Sequence, residues 1–201
     1  LHAEIRGWGC DLMEQVGGIM GEQYRKLAFM SFAEEIMNIS TSFKNIYFCK
    51  KDILKFKSDV LILIEYPGFK MRIAKFAKKE GIKVHYYISP QIWAWKQNRV
   101  HKIKKVVDEM YTILPFEKAF YKKFDYDVHY VGHPLVDAIQ TFKTEALSKD
   151  DFIKKHELED QPILALLPGS RVQEIKTKLP IMLKAAMQFE NYQIIIAGAP
   201  N

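Results

Sequence analysis

Cysteine is nearly absent: Cys10 and Cys49 are the two in 201 residues. That is too few for a disulfide framework or a structural zinc site, and their spacing matches no metal motif. Both are expected to be buried thiols in a reducing compartment. Long hydrophobic runs are missing too. Val60 to Ile64 and Ile194 to Ala197 are strand-sized, far short of the roughly 18 residues of a membrane span. No signal peptide opens the chain, so a soluble, cytoplasmic protein is expected. There is no internal repeat, no low-complexity tract, no His/Cys/Asp/Glu cluster at metal spacing and no Gly-x-Ser-x-Gly elbow. A P-loop lysine and a complete Gly-x-Gly-x-x-Gly fingerprint are also missing.

What is present is globular in character. Hydrophobic residues make up 48% and charged residues 27%, which excludes disorder. Lysine and arginine number 30 against 24 acids, a formal charge of +6, which favours an anionic partner: nucleic acid, anionic lipid or a phosphorylated metabolite. The bases cluster. Lys70 to Lys83 holds six with one acid, and Lys96 to Lys105 holds five with none. Either stretch also fits a solvated helix face.

Strand and helix alternate along the chain. Asp59 to Ile64 is a continuous apolar run, as a strand covered on both faces would be. Tyr66-Pro67-Gly68 breaks it, and Phe69, Ile73, Phe76 and Ala77 then form one helical stripe up to a C-cap at Gly81. Lys83 to Ile88 reads as a strand and Asn98 to Val107 as a helix, with Val100, Ile103, Val106 and Val107 inward. Met110 to Leu114 and Val128 to Val131 read as strands, with a short helix opening at Pro115. Such repeated units predict a doubly wound parallel α/β domain over residues 1–134. Residues 135–160 read as polar linker helices, with Ser148 as an N-cap. A new unit starts at 161: strand Ile163 to Leu167, helix Lys178 to Phe189, strand Gln193 to Ala197. Two strands are too few to close a core, so a truncated second domain is expected.

Ligands of open α/β sheets bind at the carboxyl ends of the strands. Glu65 ends the first clear strand; partial desolvation there would raise a carboxylate toward a useful base, whereas a helix cap or a lysine partner is the plainer role. Ser89, Pro90, Gln91 and Trp93 follow the next strand; Trp93 and Trp95, two apart, can point opposite ways, one into the core and one to a ligand or interface. Gly132 and His133 follow another strand, His133 as a ligand group or a hinge residue bonded to backbone. Gly169, Ser170 and Arg171 lie between strand and helix, where backbone N–H groups and a guanidinium suit a phosphate, or where an ordinary turn ends in a surface arginine. Phe29, Phe32, Ala33, Ile36 and Met37, with Met30 beside them, share one greasy helical face that fits either core packing or an insertion into lipid.

These segments in this order resemble lipid-A-disaccharide synthases, a family of bacterial glycosyltransferases. The likeness rests on Gly9-Cys-Asp-Leu-Met-Glu-Gln15, Leu27-Ala-Phe-Met-Ser-Phe32, Ser58 to Phe69, Tyr87-Ile-Ser-Pro-Gln-Ile-Trp-Ala-Trp95, Ile113 to Tyr121, Tyr130-Val-Gly-His-Pro-Leu-Val-Asp137 and Leu166-Leu-Pro-Gly-Ser-Arg171. The resemblance implies a GT-B fold of two Rossmann-like halves facing a cleft, with residues 1–134 on the acceptor side and residues 161–201 beginning the nucleotide-sugar side. It implies transfer from UDP-2,3-diacylglucosamine to 2,3-diacylglucosamine 1-phosphate, giving the β-1,6 lipid A disaccharide and UDP, with no metal and no cofactor. It places the enzyme peripherally on the cytoplasmic surface of the inner membrane. By the same resemblance Glu65 and Arg171 are catalytic candidates, Ser89, Pro90, Gln91, Trp93, Gly132, His133, Gly169 and Ser170 contact substrate, and Phe29, Met30, Phe32 and Ile36 meet acyl chains or membrane. Glu65 stands where many relatives have Asp, and Gly68 where some have a second Asp. Family members are much longer, so this chain by itself is expected to be inactive. Another GT-B enzyme on a UDP-sugar, or a basic α/β module binding nucleic acid, are the competing readings.

Overall fold

A computed structural model describes residues 3–9, 18–23, 39–65 and 67–198. The chain divides into two compact units, Leu1–Ala138 and Ile139–Asn201. In the first, β1 (Arg6–Gly9) and β2 (Ile19–Gln23) pair in parallel. A longer sheet follows, built from β3 (Val60–Ile64), β4 (Lys83–Tyr87), β5 (Glu109–Thr112) and β6 (His129–Tyr130). Its order is β3-β4-β5-β6 and every pairing is parallel. The crossovers are α1 (Ile39–Phe56) before β3, α2 (Pro67–Lys79), then a short run of α3 (Ile92–Trp95), a 3-10 turn (Gln97–Arg99) and α4 (Val100–Ile103), and finally α5 (Pro115–Lys122). Helix α6 (Pro134–Glu145) spans the division. The second unit carries α7 (Lys149–Lys155), β7 (Ile163–Leu166), α8 (Val172–Ala186) and β8 (Gln193–Ile196), with β7 and β8 parallel. The parallel α/β architecture expected from the alternating pattern is the one observed.

Register explains the core. Leu63, Tyr86 and Met110 stand opposite one another across three strands, and all three are buried. Helix α2 covers them with Ile73 and Ala77, the buried part of the stripe read from sequence, and with Ala74, which that stripe did not include. Gly81, at φ +75°, closes the turn after α2, a backbone state open to glycine. On the opposite face the apolar run of β3 behaves differently from expectation. Val60, Ile62 and Ile64 are 43%, 63% and 41% exposed. Among the described residues β3 pairs with β4 alone, and its apolarity on both faces is not matched by cover on both faces.

Several boundaries move for physical reasons. Helix α2 begins at Pro67, not Phe69, because proline suits a first helical position. The helix expected over 98–107 is shorter and split, ending at Ile103. Val100, Ile103 and Val107 are nonetheless buried. β5 stops at Thr112, and the next two amides, of Ile113 and Leu114, donate to the Glu117 carboxylate instead of a neighbouring strand. Helix α8 starts six residues ahead of the expected Lys178, at Val172, and contains Pro180. Ser148 caps α7 as expected: its Oγ accepts the Asp151 amide at 3.1 Å and donates to the Asp151 carboxylate at 2.6 Å.

β1 is tied to α1 by one carboxylate. Asp52 accepts Arg6 Nε at 2.9 Å and Trp8 Nε1 at 2.9 Å, and pairs with the Arg6 guanidinium at 2.8 Å. The Arg6 hydrogen bond, aided by Trp8, holds the Asp52 carboxyl below its ordinary value against the opposing effect of burial. A depressed folded-state value means that this stabilisation is full at neutral pH and is lost as pH falls through the carboxylate range. Asp52→Asn is expected to cost about 1–2 kcal/mol at pH 7, discounted for partial exposure, and much less near pH 3. Urea denaturation of both proteins at the two pH values measures this; an equal loss at both would contradict it.

Candidate functional site

Because β3 to β6 are all parallel, the segments following them emerge at one edge of the sheet. The hydrogen-bond ladder runs one residue past the strands there. The Glu65 amide donates to the Tyr87 carbonyl at 3.0 Å, that of Ile88 to Tyr111 at 3.0 Å, and that of Val131 to Thr112 at 3.0 Å. Immediately beyond, the backbone turns into left-handed conformations: φ is +55° at Glu65, +63° at Ile88 and +85° at Gly132. Glycine adopts this freely, but a β-branched isoleucine pays strain. Two consecutive strand ends thus make sharp exits through residues whose side chains disfavour that conformation.

Glu65 is anchored through its backbone. Its carbonyl accepts the buried Tyr86 hydroxyl at 2.8 Å, and burial pushes that phenol well above its ordinary value. The Glu65 carboxylate itself is exposed, in place of the partly desolvated setting the strand suggested. Nearby, Lys70 donates to the carbonyl of Ile64. Burial lowers the Lys70 ammonium from its ordinary value, and Glu65 opposes that shift. A carboxylate and an ammonium therefore share the tip of β3.

The loop after β4 is organised around a buried acid. Glu117, 1% exposed, accepts the Ser89 hydroxyl through one oxygen and the amides of Ile113 and Leu114, at 3.2 and 2.9 Å, through the other. The Leu114 contact is the return half of a capping box. One carboxylate thereby joins the exits of β4 and β5. Beside it, burial pushes the Tyr121 phenol up to about 12, with Ser89 opposing. Ser89 and Pro90 are buried and Gln91 is exposed. Trp93 packs edge-to-face on Phe116 at 4.9 Å, and its buried Nε1 has no hydrogen-bond partner among the described residues. His133 accepts the Leu135 amide on Nδ1 at 3.2 Å, bonding to backbone at the start of α6. Glu65, Ser89, Pro90, Gln91, Trp93, Gly132 and His133 thus all lie at the carboxyl edge of one sheet.

Gly169, Ser170 and Arg171 belong to the second unit, between β7 and α8. Gly169 has φ +111°, and a Cβ there would come within 2.6 Å of Glu174 Oε2. The close approach that this glycine permits is made by a side chain of its own helix. Arg171 is exposed and lies 3.9 Å from Glu174, which Lys178 also approaches at 3.8 Å. Phe29, Met30, Phe32 and Ile36 lie outside the described residues, as does Cys10. Cys49 is buried and free, its thiol pushed up to about 12 by burial with Asp52 adding to the shift. Glu117 and Lys70 carry no distinctive sequence motif; the Pro-Phe-Glu helix start was the one cue to Glu117.

The chain is similar to known proteins along its length. The model of a family described as lipid-A-disaccharide synthetase matches residues 2–197. A lipid-A-disaccharide synthase of Coxiella burnetii (strain Dugway 5J108-111) is 40% identical over 205 residues, covering 100% of this chain and 54% of the relative. That of Trichlorobacter lovleyi is 49% identical over 138 residues, covering 68% and 35%. A lipid-A-disaccharide synthase 1 of Legionella pneumophila (strain Lens) is 40% identical over 187 residues, covering 91% and 47%. The chain thus spans about half the length of such relatives. Among solved structures, a UDP-GlcNAc 2-epimerase of Neisseria meningitidis bound to UDP-GlcNAc matches with a TM-score of 0.62 at 13% identity, covering 94% of this chain and 54% of that one. That likeness shows a GT-B-like fold.

Truncating Glu117 leaves two partly buried amides and a buried serine hydroxyl without their acceptor. Glu117→Ala is expected to cost about 2–3 kcal/mol and Ser89→Ala about 1 kcal/mol. Denaturant midpoints measure both; a Glu117→Ala loss within the Ser89→Ala range would contradict the bridging role.

Proposed function

Because the chain belongs to the lipid-A-disaccharide synthase family, we propose that its protein transfers a 2,3-diacylglucosamine unit from UDP to 2,3-diacylglucosamine 1-phosphate. The 6-hydroxyl oxygen of the acceptor attacks the anomeric carbon of the donor. The bond from that carbon to the diphosphate oxygen breaks, and UDP leaves with the electron pair. Glu65 takes the hydroxyl proton. Arg171 and the backbone N–H groups of Gly169 and Ser170 meet the charge growing on the diphosphate, a contact worth roughly 2–4 kcal/mol of barrier. In the resting second unit Glu174 lies against this turn, so the diphosphate displaces it.

The family match over residues 2–197 carries this reading. An exposed carboxylate on a backbone-anchored turn at the sheet edge supports the base role, since an acceptor can reach it. Residues 1–134 serve the acceptor side and residues 161–201 open the nucleotide-sugar side. Ser89, Pro90, Gln91, Trp93, Gly132 and His133 line the acceptor approach. The greasy face of Phe29, Met30, Phe32 and Ile36 meets acyl chains, and the enzyme works peripherally at the cytoplasmic surface of the inner membrane. Among the described residues no helix is long and apolar enough to cross a membrane.

The test uses a protein that carries this chain at the relatives' full length, incubated with both lipid substrates. Disaccharide and UDP should appear in equal amounts; UDP without disaccharide, or neither, would overturn the reading. Glu65→Gln should lower turnover roughly 10²-fold or more while donor binding persists. Arg171→Ala should slow transfer or weaken UDP binding at least roughly tenfold. Wild-type kinetics in either variant would remove that residue from its role.

A further inference from the structure

The loop after β4 ends in two tryptophans with different fates. Trp93 packs on Phe116, whereas Trp95 is 65% exposed. Two cations lie against the Trp95 ring, Lys96 Nζ at 4.4 Å and Arg99 Cζ at 5.5 Å from its centroid. With Gln97, Asn98 and Lys102 they line an open depression of about 460 Å³, a volume suited to a small headgroup. No acidic residue occurs between Gly81 and Val107. Among the described residues no carboxylate pairs with Lys96, Arg99 or Lys102. Three positive groups therefore line one depression with no carboxylate paired to them among the described residues.

Resting on the glycosyltransferase reading above, we propose that Trp95, Lys96, Arg99 and Lys102 bind the phosphate of the acceptor, a glucosamine 1-phosphate carried on lipid. The depression opens from the segment that leaves β4, at the same sheet edge as Glu65, which leaves β3, and the two strands are neighbours. An acceptor whose hydroxyl is deprotonated at one place and whose phosphate is held at another is oriented by both. Arg99 supplies a planar fork for phosphate oxygens and the lysines supply point charges. The indole does not touch the phosphate in this scheme. It holds Lys96 and Arg99 by cation–π attraction, so less side-chain freedom is lost when the anion arrives. Trp95 is thus a positioning residue, and its exposure is explained by the cations it carries.

The test follows the Trp95 indole N–H resonance of this chain, with the Trp8 and Trp93 resonances as reporters of intact folding. Titration with glucosamine 1-phosphate should shift the Trp95 signal saturably, and glucosamine should not. Arg99→Ala with Lys102→Ala should weaken binding at least roughly tenfold, Arg99→Lys less, and Trp95→Ala about two- to fivefold, followed there by backbone amides of residues 96–102. Equal responses to glucosamine and its phosphate would overturn the proposal, as would inorganic phosphate binding as tightly as the sugar phosphate. So would a response confined to phosphatidylglycerol vesicles or to an oligonucleotide, which would assign the patch to a bilayer or to nucleic acid. In the full-length protein, Arg99→Ala should raise the acceptor KM and leave the donor KM in place. If disaccharide forms with an unchanged acceptor KM, this assignment fails alone. If binding follows these residues yet no disaccharide ever forms, the functional reading fails and the phosphate site stands.

Discussion

The carboxyl edge of the first unit depends on one buried carboxylate. Glu117 has lost nearly all contact with water, which would be prohibitive for a lone anion. It is tolerated because the Ser89 hydroxyl and two backbone amides surround it. Those donors come from different crossovers. The exits of β4 and β5 are therefore one structural piece, although 24 residues separate Ser89 from Ile113 in the chain. Ser89, Pro90, Gln91 and Trp93 belong to that piece, and Glu65 turns beside it, whereas Gly132 and His133 leave β6 on their own.

Strain and anchoring act together at these exits. Glu65 and Ile88 hold left-handed backbone conformations that cost energy, and hydrogen bonds from the adjacent strand pin each of them. The Tyr86 hydroxyl adds a second grip on Glu65 from beneath the sheet edge. Fixing the backbone while leaving the carboxylate in solvent suits the base role proposed for Glu65. In the loop after β4, the same division of labour separates Trp93, which packs, from Trp95, which carries cations.

Much of this was legible in the chain itself. Strand-length apolar runs alternating with lysine-backed helical stripes gave the parallel sheet, since a period of 2 and a period near 3.6 bury different faces. The i, i+2 spacing of Trp93 and Trp95 already allowed one inward and one outward ring. Glu117 was hidden because an acid at a helix start has a sufficient local reason to be there, and the long-range bond to Ser89 leaves no periodic trace. The split helix at 97–103 was hidden because its inward valines keep helical spacing even where the backbone stops being helical. The exposed face of β3 was misread because composition reports what a strand can bury, not what lies beside it. At Gly169 the sequence announced close approach, and the structure identifies Glu174 as the group that approaches.

Amide hydrogen exchange at the β4 and β5 exits tests the central dependence most directly. If Glu117 holds both, Glu117→Gln accelerates exchange at Ile113 and Leu114 and, by a similar factor, at Ile92, Ala94 and Lys96, whose amides bond within the other loop. Faster exchange at Ile113 and Leu114 with the β4 loop still protected would contradict it, and would leave that loop supported by packing alone.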